Sequence, residues 1–404
     1  MLPSVQASLI ILLLCSWASH DVSAQQVLKI KIDALPSTHP NEPVFLTGNF
    51  NGWDPAAEEM RLLPSADGGL EISLVLDDVP SDRLEYKFTR GSWQSSECTG
   101  QGRLTGPRVS KLGEDIHEVI QIDGWRDDFP AHTASPNVHV LDSAFYMPQL
   151  DRHRKIWIYL PADYETSNKR YPVIYMQDGQ HLFDEATSQG RIGPIEWGVD
   201  ETLDEAEQAC IIVAINHQDD YSDRESEFYV HPNSSHSEVQ GSAYLAFMVE
   251  TLKPFVDKHY RTLSDKENTA IAGSSLGGLV SFYAGVHYPE TFGILGIFSP
   301  SLWMDEGNLQ RDLKDLATAD DKVMQIANQK YYFYAGLQEN RRKEDGTFVR
   351  MDEDVKGAIQ LLQSAGSPDI TLATNPFGRH GALHWREAFP KFYQWFIGLQ
   401  PTND

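Results

Sequence analysis

Short alternating runs of apolar and polar residues dominate the first third of the chain. Residues 27–32, 71–76 and 84–88 alternate in this way, and Gly, Pro, Asn and Asp separate the runs. A period of two at this spacing is typical of short strands packed as a sandwich. We therefore predict that residues 25–126 form a small all-β, immunoglobulin-like antiparallel sandwich.

The pattern changes after residues 127–140, a polar stretch of linker composition with two prolines. From residue 141 to residue 400, continuous apolar runs alternate with longer helical periodicities, which indicates a parallel sheet covered on both faces. The predicted fold is α/β with a mostly parallel central sheet. The strand-like runs are 155–160, 172–176, 210–215, 269–272, 294–298, 331–334 and 370–373, and the helical candidates include 244–260, 276–288 and 354–364.

Residues 1–24 have the pattern of a secretory signal peptide. An apolar core at 9–14 precedes small residues at 22–24, which offer a cleavage site before Gln25. The pattern predicts a secreted or periplasmic protein that is not held in a membrane after the signal is removed. The first residues lack Lys and Arg, so an uncleaved anchor is the alternative.

Charge narrows the classes of partner. The chain has 58 acidic and 33 basic residues among 404, a net charge of −25. A polyanion repels nucleic acid and anionic membrane surfaces, so neither is an expected partner. The cysteines have no metal-type spacing. We expect a small-molecule or polysaccharide substrate, no cofactor and no metal.

A Gly-x-Ser-x-Gly turn, residues 273–277, lies between the β-prone run 269–272 and the helical run 276–288. A strand, a tight turn and a helix with serine at the apex form the nucleophile elbow of an α/β-hydrolase. Ser275 is therefore the predicted nucleophile. The alternative is a glycine-rich turn that only joins a strand to a helix.

A serine hydroxyl needs a base, and the base needs an acid to orient it. In this fold the acid and the histidine follow later strands, in that order. Glu339 follows the run 331–334 and His380 follows the run 370–373, so both positions fit. Other carboxylates and a second histidine compete with them: Asp345, Asp352, Glu353 and His384.

Several motifs together resemble the esterase family that includes esterase D, enterochelin esterases and feruloyl esterases. They lie at 171–180, 224–228 and 252–262, at the elbow, and in the spacing from His380 to Trp385. The resemblance covers residues 144–399 and implies ester hydrolysis through an acyl-serine. It implies that Ser275 attacks, that His380 rather than His384 is the base, and that Glu339 orients His380.

The same resemblance implies an oxyanion hole of two backbone N–H groups. Leu276, at the N-terminus of the helix, should supply one donor. Gln180, in the loop after the run 172–176, should supply the other. Nearby polar and aromatic side chains have roles that the sequence leaves open between the site and local packing: Asp178, His181, Arg224, Glu227 and Trp303.

Residues 45–53, together with 84–88 and Trp93, resemble the starch-binding type of carbohydrate-binding module. The resemblance implies that Trp53 and Trp93 stack on sugar rings and that Lys87 is a polar partner. Alternatively, Trp53 packs inside the sandwich and the domain only positions the enzyme.

The sequence thus predicts a secreted serine carboxylesterase that acts on carbohydrate-linked esters, such as feruloyl or acetyl esters. One alternative is a siderophore esterase of the enterochelin type. Another, from a different class, is a carbohydrate-binding protein whose hydrolase domain is inactive.

Overall fold

A computed structural model describes residues 26–76, 79, 83–113, 115–188, 190, 193–218, 220–316, 326–342, 346, 348–364 and 369–400. The predicted signal peptide lies outside this part of the chain. The strands are β1 (Gln26–Ala34), β2 (Phe45–Gly48), β3 (Leu63–Pro64), β4 (Leu70–Leu76), β5 (Arg83–Thr89), β6 (Glu97–Cys98), β7 (Arg108–Lys111), β8 (Ile116–Gln121), β9 (Gly124–Trp125), β10 (Val138–Met147), β11 (Arg152–Tyr159), β12 (Val173–Gln177), β13 (Ile211–Ile215), β14 (Thr269–Ser274), β15 (Ile294–Phe298), β16 (Lys330–Gly336), β17 (Asn340–Arg342), β18 (Phe348–Arg350) and β19 (Asp369–Asn375).

The α-helices among the described residues lie in the second part of the chain. They are α1 (Val199–Asp204), α2 (Tyr221–Phe228), α3 (Gly241–Phe247), α4 (Lys253–His259), α5 (Leu276–His287), α6 (Asn308–Leu316), α7 (Met351–Ser364) and α8 (Ala382–Gly398). A π-helical segment, Met248–Leu252, joins α3 to α4, so the helix predicted over 244–260 is continuous but irregular. Among the described residues, no helix is long and apolar enough to cross a bilayer.

The N-terminal domain is all-β, as predicted. Its two larger sheets have the strand orders β3-β4-β1-β8 and β2-β5-β7, and β6 and β9 form a separate two-stranded sheet. Apolar side chains from both sheets, including Leu28, Leu46 and Phe88, form a shared core, because alternate residues of each strand face inward. The domain differs from the expected antiparallel sandwich in one pairing, since β1 and β8 are parallel, with Leu28 opposite Ile116.

The second domain is built on an eight-stranded sheet with the order β10-β11-β13-β12-β14-β15-β16-β19. From β13 onward neighbouring strands are parallel, and apolar clusters cover both faces. The fold is the predicted mostly parallel α/β sheet. The edge strand β10 begins at Val138, so the last residues of the segment 127–140 belong to the sheet.

The order of the strands brings distant parts of the chain to one edge of this sheet. Strands β14, β15, β16 and β19 are parallel neighbours, so their carboxyl ends meet at the same edge. Residues that follow those ends are Ser275, Ser299, Glu339 and His380. Ligand sites of α/β sheets lie outside the carboxyl ends of the strands.

Candidate active site

Ser275 occupies a strained turn between β14 and α5. Its backbone has φ 57° and ψ −123°, a region that non-glycine residues rarely adopt. The two glycines of the motif are required by close packing. A Cβ at Gly273 would lie 2.5 Å from the Gly277 carbonyl oxygen, and one at Gly277 would lie 2.9 Å from Asp178 Oδ2. The turn therefore has the geometry of a nucleophile elbow.

The three residues predicted as a catalytic set are in contact. His380 Nε2 lies 2.9 Å from Ser275 Oγ, and His380 Nδ1 lies 3.3 Å from Glu339 Oε2. The Glu339 side chain has no exposed surface, and that of His380 is 18% exposed. With Nδ1–H directed at the carboxylate, Nε2 is left as the acceptor for the serine proton.

Glu339 is fixed by groups that the sequence did not single out for this role. Its Oε1 accepts a 2.7 Å hydrogen bond from Ser299 Oγ and a 3.0 Å hydrogen bond from the Gly336 amide. The Trp385 indole in turn donates to Ser299 Oγ at 3.0 Å, and its ring meets the His380 imidazole edge-on. The carboxylate and the imidazole are therefore positioned by one connected set of contacts.

Ser301 is a second neighbour of the nucleophile. Its hydroxyl lies 3.1 Å from Ser275 Oγ, and its amide donates to the Ser275 carbonyl at 3.0 Å. When Ser275 donates its own proton to His380, Ser301 can donate to a Ser275 lone pair. Ser301 is 26 residues from Ser275 in the chain, so local sequence patterns do not predict this contact.

The competing acids and the competing histidine have other partners. Asp352 accepts from Lys356 Nζ at 2.8 Å, and Glu353 pairs with Arg350 at 3.0 Å. His384 Nδ1 lies 3.3 Å from Glu387 Oε2, at the exposed side of α8. Asp345 lies outside the described residues.

Leu276 and Gln180, the predicted oxyanion donors, lie on neighbouring segments. Leu276 is the first residue of α5, where the helix dipole favours negative charge. Gln180 belongs to the 3-10 turn Gly179–His181 after β12. Its carbonyl accepts from Thr187 Oγ1 at 2.8 Å and its Oε1 accepts from the His217 amide at 3.1 Å, so this turn is held rigidly.

Asp178 and Arg224 form a buried, bidentate ion pair beside the elbow. Arg224 Nε and Nη2 lie 2.7 Å and 2.8 Å from the two Asp178 oxygens. Burial acts to raise the pKa of Asp178, but the adjacent guanidinium outweighs it and the pKa is lowered. Burial lowers the pKa of His181 to about 4. The wall next to Ser275 therefore carries a neutral imidazole and a paired charge.

Glu227 forms buried ion pairs, and Trp303 lies in the segment after β15. Glu227 is fully buried and accepts hydrogen bonds from Arg154 at 2.6 Å and from Arg152 at 2.7 Å. Its carboxylate therefore balances the charges of two arginines on β11. Trp303 lies in the 3-10 segment Leu302–Asp305 that follows β15.

Within the part of the chain that the structure describes, three clusters bring metal-ligating atoms within 4.8 Å of one another. In the cluster with two histidines, His231 and His287 both bond to Asp312 Oδ2 at 2.8 Å. His287 ends α5, whereas Ser275 precedes its first residue, so this cluster lies at the opposite end of the helix from the elbow. The other two clusters are His39 with Asp127 and Asp128, and Glu196 with Asp200 and Glu201.

Ser275 and His380 open into a cleft of about 1190 Å³ that both domains line. The N-terminal domain contributes Trp53, Glu85 and Val109 to this wall. A cleft of this size holds a substrate larger than a short acyl ester.

The predicted sugar-binding residues are not arranged as one exposed platform. Trp53 is 8% exposed and lines the cleft, and its ring centroid lies 6.3 Å from that of the half-buried Trp93. Lys87 has no exposed surface, and its Nζ donates to the Thr105 carbonyl at 2.7 Å. The position of Lys87 does not agree with a role as a surface partner for sugar, because the loop carrying Thr105 covers it.

The sheet order, the elbow and the side chains at the carboxyl edge define an α/β-hydrolase. A family model described as "Putative esterase" matches residues 148–395, which is more than half of the chain. The protein therefore belongs to this esterase family, whose members hydrolyse carboxylic esters.

Esterases are among the curated relatives whose names state an activity. The endo-1,4-beta-xylanase/feruloyl esterase of Xylanibacter ruminicola is 24% identical over 286 residues, which cover 68% of this chain and 34% of that protein. The iron(III) enterobactin esterase of Dickeya dadantii is 24% identical over 263 residues, which cover 62% of this chain and 53% of that protein. Among solved structures, the BES protein from Bacillus cereus is similar in fold, with a TM-score of 0.50 and 16% identity over 65% of this chain and 95% of that chain.

Proposed function

We propose that the protein hydrolyses carboxylic esters through an acyl-serine intermediate on Ser275. One observation carries the proposal: His380 Nε2 lies 2.9 Å from Ser275 Oγ while its Nδ1 faces the buried Glu339 carboxylate. A serine with a base in hydrogen-bond contact, and a base with an orienting acid, is the arrangement that activates a hydroxyl nucleophile.

The chemistry proceeds in two halves. His380 takes the Ser275 proton as Oγ attacks the acyl carbon, and the resulting oxyanion is stabilised by the backbone amides of Leu276 and Gln180. His380 then protonates the departing alcohol oxygen, which leaves the acyl group on Ser275. A water molecule, deprotonated by His380, attacks this acyl-serine, and collapse of the second oxyanion releases the acid and returns the proton to Ser275.

The substrate class that we propose is an ester attached to carbohydrate, with a feruloyl or acetyl group as the acyl part. The feruloyl esterase relative supports it, as does a cleft large enough for both an acyl group and a sugar. Trp53 lines this cleft, which supports an aromatic contact between the N-terminal domain and the larger part of the substrate. The N-terminal sequence pattern supports action outside the cytoplasm, in a secreted or periplasmic protein.

A siderophore ester is the second candidate, favoured by the enterobactin esterase relative. Two features oppose it. The net charge of −25 repels an anionic ferric siderophore, and two cations of the cleft, Arg224 and Arg379, are already paired with Asp178 and Glu85.

A panel of feruloyl, acetyl and catechoyl esters, assayed with wild type and Ser275→Ala, tests the proposal. We expect the highest kcat/KM on feruloylated or acetylated saccharides and no turnover by Ser275→Ala. A preference for catechoyl esters would replace the carbohydrate proposal with the siderophore one. Failure of wild type to cleave any member would instead favour a carbohydrate-binding protein with an inactive hydrolase domain.

A further inference from the structure

The loop that carries His380 is attached to the N-terminal domain immediately before the histidine. The Arg379 guanidinium forms an ion pair with Glu85, and the exposed fractions of the two side chains are 31% and 13%. Glu85 lies on β5 of the sandwich. Both side chains line the cleft into which Ser275 opens, so the pair spans the boundary of the two domains within the site.

A second attachment follows the histidine. Leu383, in the first turn of α8, packs with Leu104 and Cys98 of the N-terminal domain and with Ile195 of the hydrolase domain. The approach is close, because a Cβ added to Gly106 would lie 2.3 Å from Leu383 Cδ2. His380 is therefore flanked at −1 and +3 by residues that contact the sandwich.

Two glycines flank His380, and backbone hydrogen bonds hold both of them. Gly378 donates to the Asn375 carbonyl at 3.0 Å, and the Gly381 carbonyl accepts from the His384 amide at 3.1 Å. The looser contact is that of the imidazole. The hydrogen bond from His380 to Glu339 is long, at 3.3 Å. Small displacements of the imidazole would weaken both this contact and the 2.9 Å contact to Ser275, and misplacement by about 1 Å can reduce catalysis by about 100-fold.

We infer that Glu85 and Arg379 are positioning residues, through which the N-terminal domain holds the His380 loop in its working position. The sandwich would then be part of the catalytic unit and not a separable binding module. The ion pair acts on the reaction only through His380. This inference rests on the proposed function, since it requires His380 to be the base.

Arg379 lines the cleft, so a direct contact with substrate is the competing explanation, and kinetics separate the two. A positioning role lowers kcat with little change in KM, whereas a role in uniform substrate binding raises KM and leaves kcat unchanged. The pH profile adds a second readout. With Glu85→Gln the unpaired cation should move the acidic limb of kcat to lower pH, and with Arg379→Gln the unpaired carboxylate should move it to higher pH.

The experiment is a double-mutant cycle on the full-length protein, with kcat, KM, pH profile and melting temperature measured on an ester that wild type cleaves. We expect Glu85→Gln and Arg379→Gln each to lower kcat roughly tenfold, and the double variant to be no worse than either. Arg379→Lys should retain most of the wild-type kcat. A matched control is Arg61→Gln. It removes an exposed ion pair with Glu58 in the N-terminal domain, the domain that contains Glu85, and should leave kcat unchanged.

Multiplicative losses in the double variant, a change in KM alone, or an equal loss in Arg61→Gln would overturn the inference. A general loss of folding would appear as a lower melting temperature, and Arg379→Lys still tests the pair in that event, since it keeps the charge. A failure of the proposed function would be seen in a different variant. If His380→Ala retained full activity, the mechanism would be wrong. If His380→Ala were inactive but the losses of Glu85→Gln and Arg379→Gln multiplied in the double variant, only the positioning role would be refuted.

Discussion

Ser299 donates a 2.7 Å hydrogen bond to Glu339, so the carboxylate that faces His380 is held from the neighbouring strand end. Ser299 follows β15 and Glu339 follows β16. Because both side chains are buried, the hydrogen bond to this ionised group is not weakened by competing water. The orientation of the imidazole therefore depends on Ser299, a serine outside the catalytic set, as well as on Glu339.

Ser299→Ala should lower kcat about tenfold, because loss of a hydrogen bond to a charged group costs about 1.5–3 kcal/mol and lets Glu339 rotate away from His380. Steady-state kinetics on a simple acetyl ester would measure it. Ser281→Ala is the matched control, since Ser281 is also fully buried and its hydroxyl has no hydrogen-bond partner within the described residues. Equal effects of the two substitutions would refute the role of Ser299.

The two histidines near the cleft should differ sharply. His380→Ala should reduce kcat by about 10³-fold or more, the scale on which triad members act. His384→Ala should stay within about twofold of wild type, because His384 contacts Glu387 on the exposed side of α8. Kinetics of both variants on the same ester decide the matter, and the reverse ranking would show that the base has been assigned to the wrong residue.

Gly336→Ala should impair both folding and activity. The new methyl group would lie 2.4 Å from the Gly378 carbonyl oxygen and 2.7 Å from Glu339 Oε1, and such overpacking costs about 1–3 kcal/mol. The melting temperature and kcat of this variant should both be lower than those of wild type. Gly357→Ala in α7 meets open space and should instead stabilise the protein by about 0.5–1 kcal/mol. If Gly336→Ala unfolded and reacted like wild type, this packing would not be rigid.

A buried carboxyl group on α1 should contribute less to stability as the pH rises. Burial, together with the nearby Glu201 carboxylate, raises the pKa of Asp200 far above its usual range. The folded state then binds a proton that the unfolded state has lost, so stability is greatest below the unfolded pKa, about 3.9, and decreases through the raised pKa. Burial also raises the pKa of Glu196, which adds to the same trend.

Asp200→Asn removes this proton while keeping an acceptor for the Ser135 amide. Its melting temperature should fall less than that of wild type between about pH 5 and pH 9. Glu205→Gln, at an exposed position just after α1, is the control and should follow wild type. If the melting temperatures of wild type and Asp200→Asn changed equally with pH, Asp200 would not bind this proton.

Local sequence signals predicted much of the hydrolase domain. Apolar runs located its parallel strands, and the glycines around Ser275 reported the tight turn because close packing there excludes side chains. Chain order then pointed to Glu339 and His380, since each follows the end of a parallel strand. The structure brings these residues into contact, and their catalytic roles remain predictions.

The contacts that complete the site could not be predicted, because they join residues far apart in the chain. Ser299 meets Glu339 across two strands, and Arg379 meets Glu85 across the two domains. Lys87 illustrates the same limit. The resemblance to a carbohydrate-binding module implied that Lys87 is a polar partner for sugar, but its ammonium group is buried against Thr105.

The most direct test of the account is covalent labelling by a serine-directed fluorophosphonate, with the modified peptide identified by mass spectrometry. The account predicts one adduct on Ser275 in wild type, weaker labelling in His380→Ala, and none in Ser275→Ala. An unlabelled wild type, or equal labelling of Ser275→Ala, would contradict the assignment of Ser275 as the nucleophile.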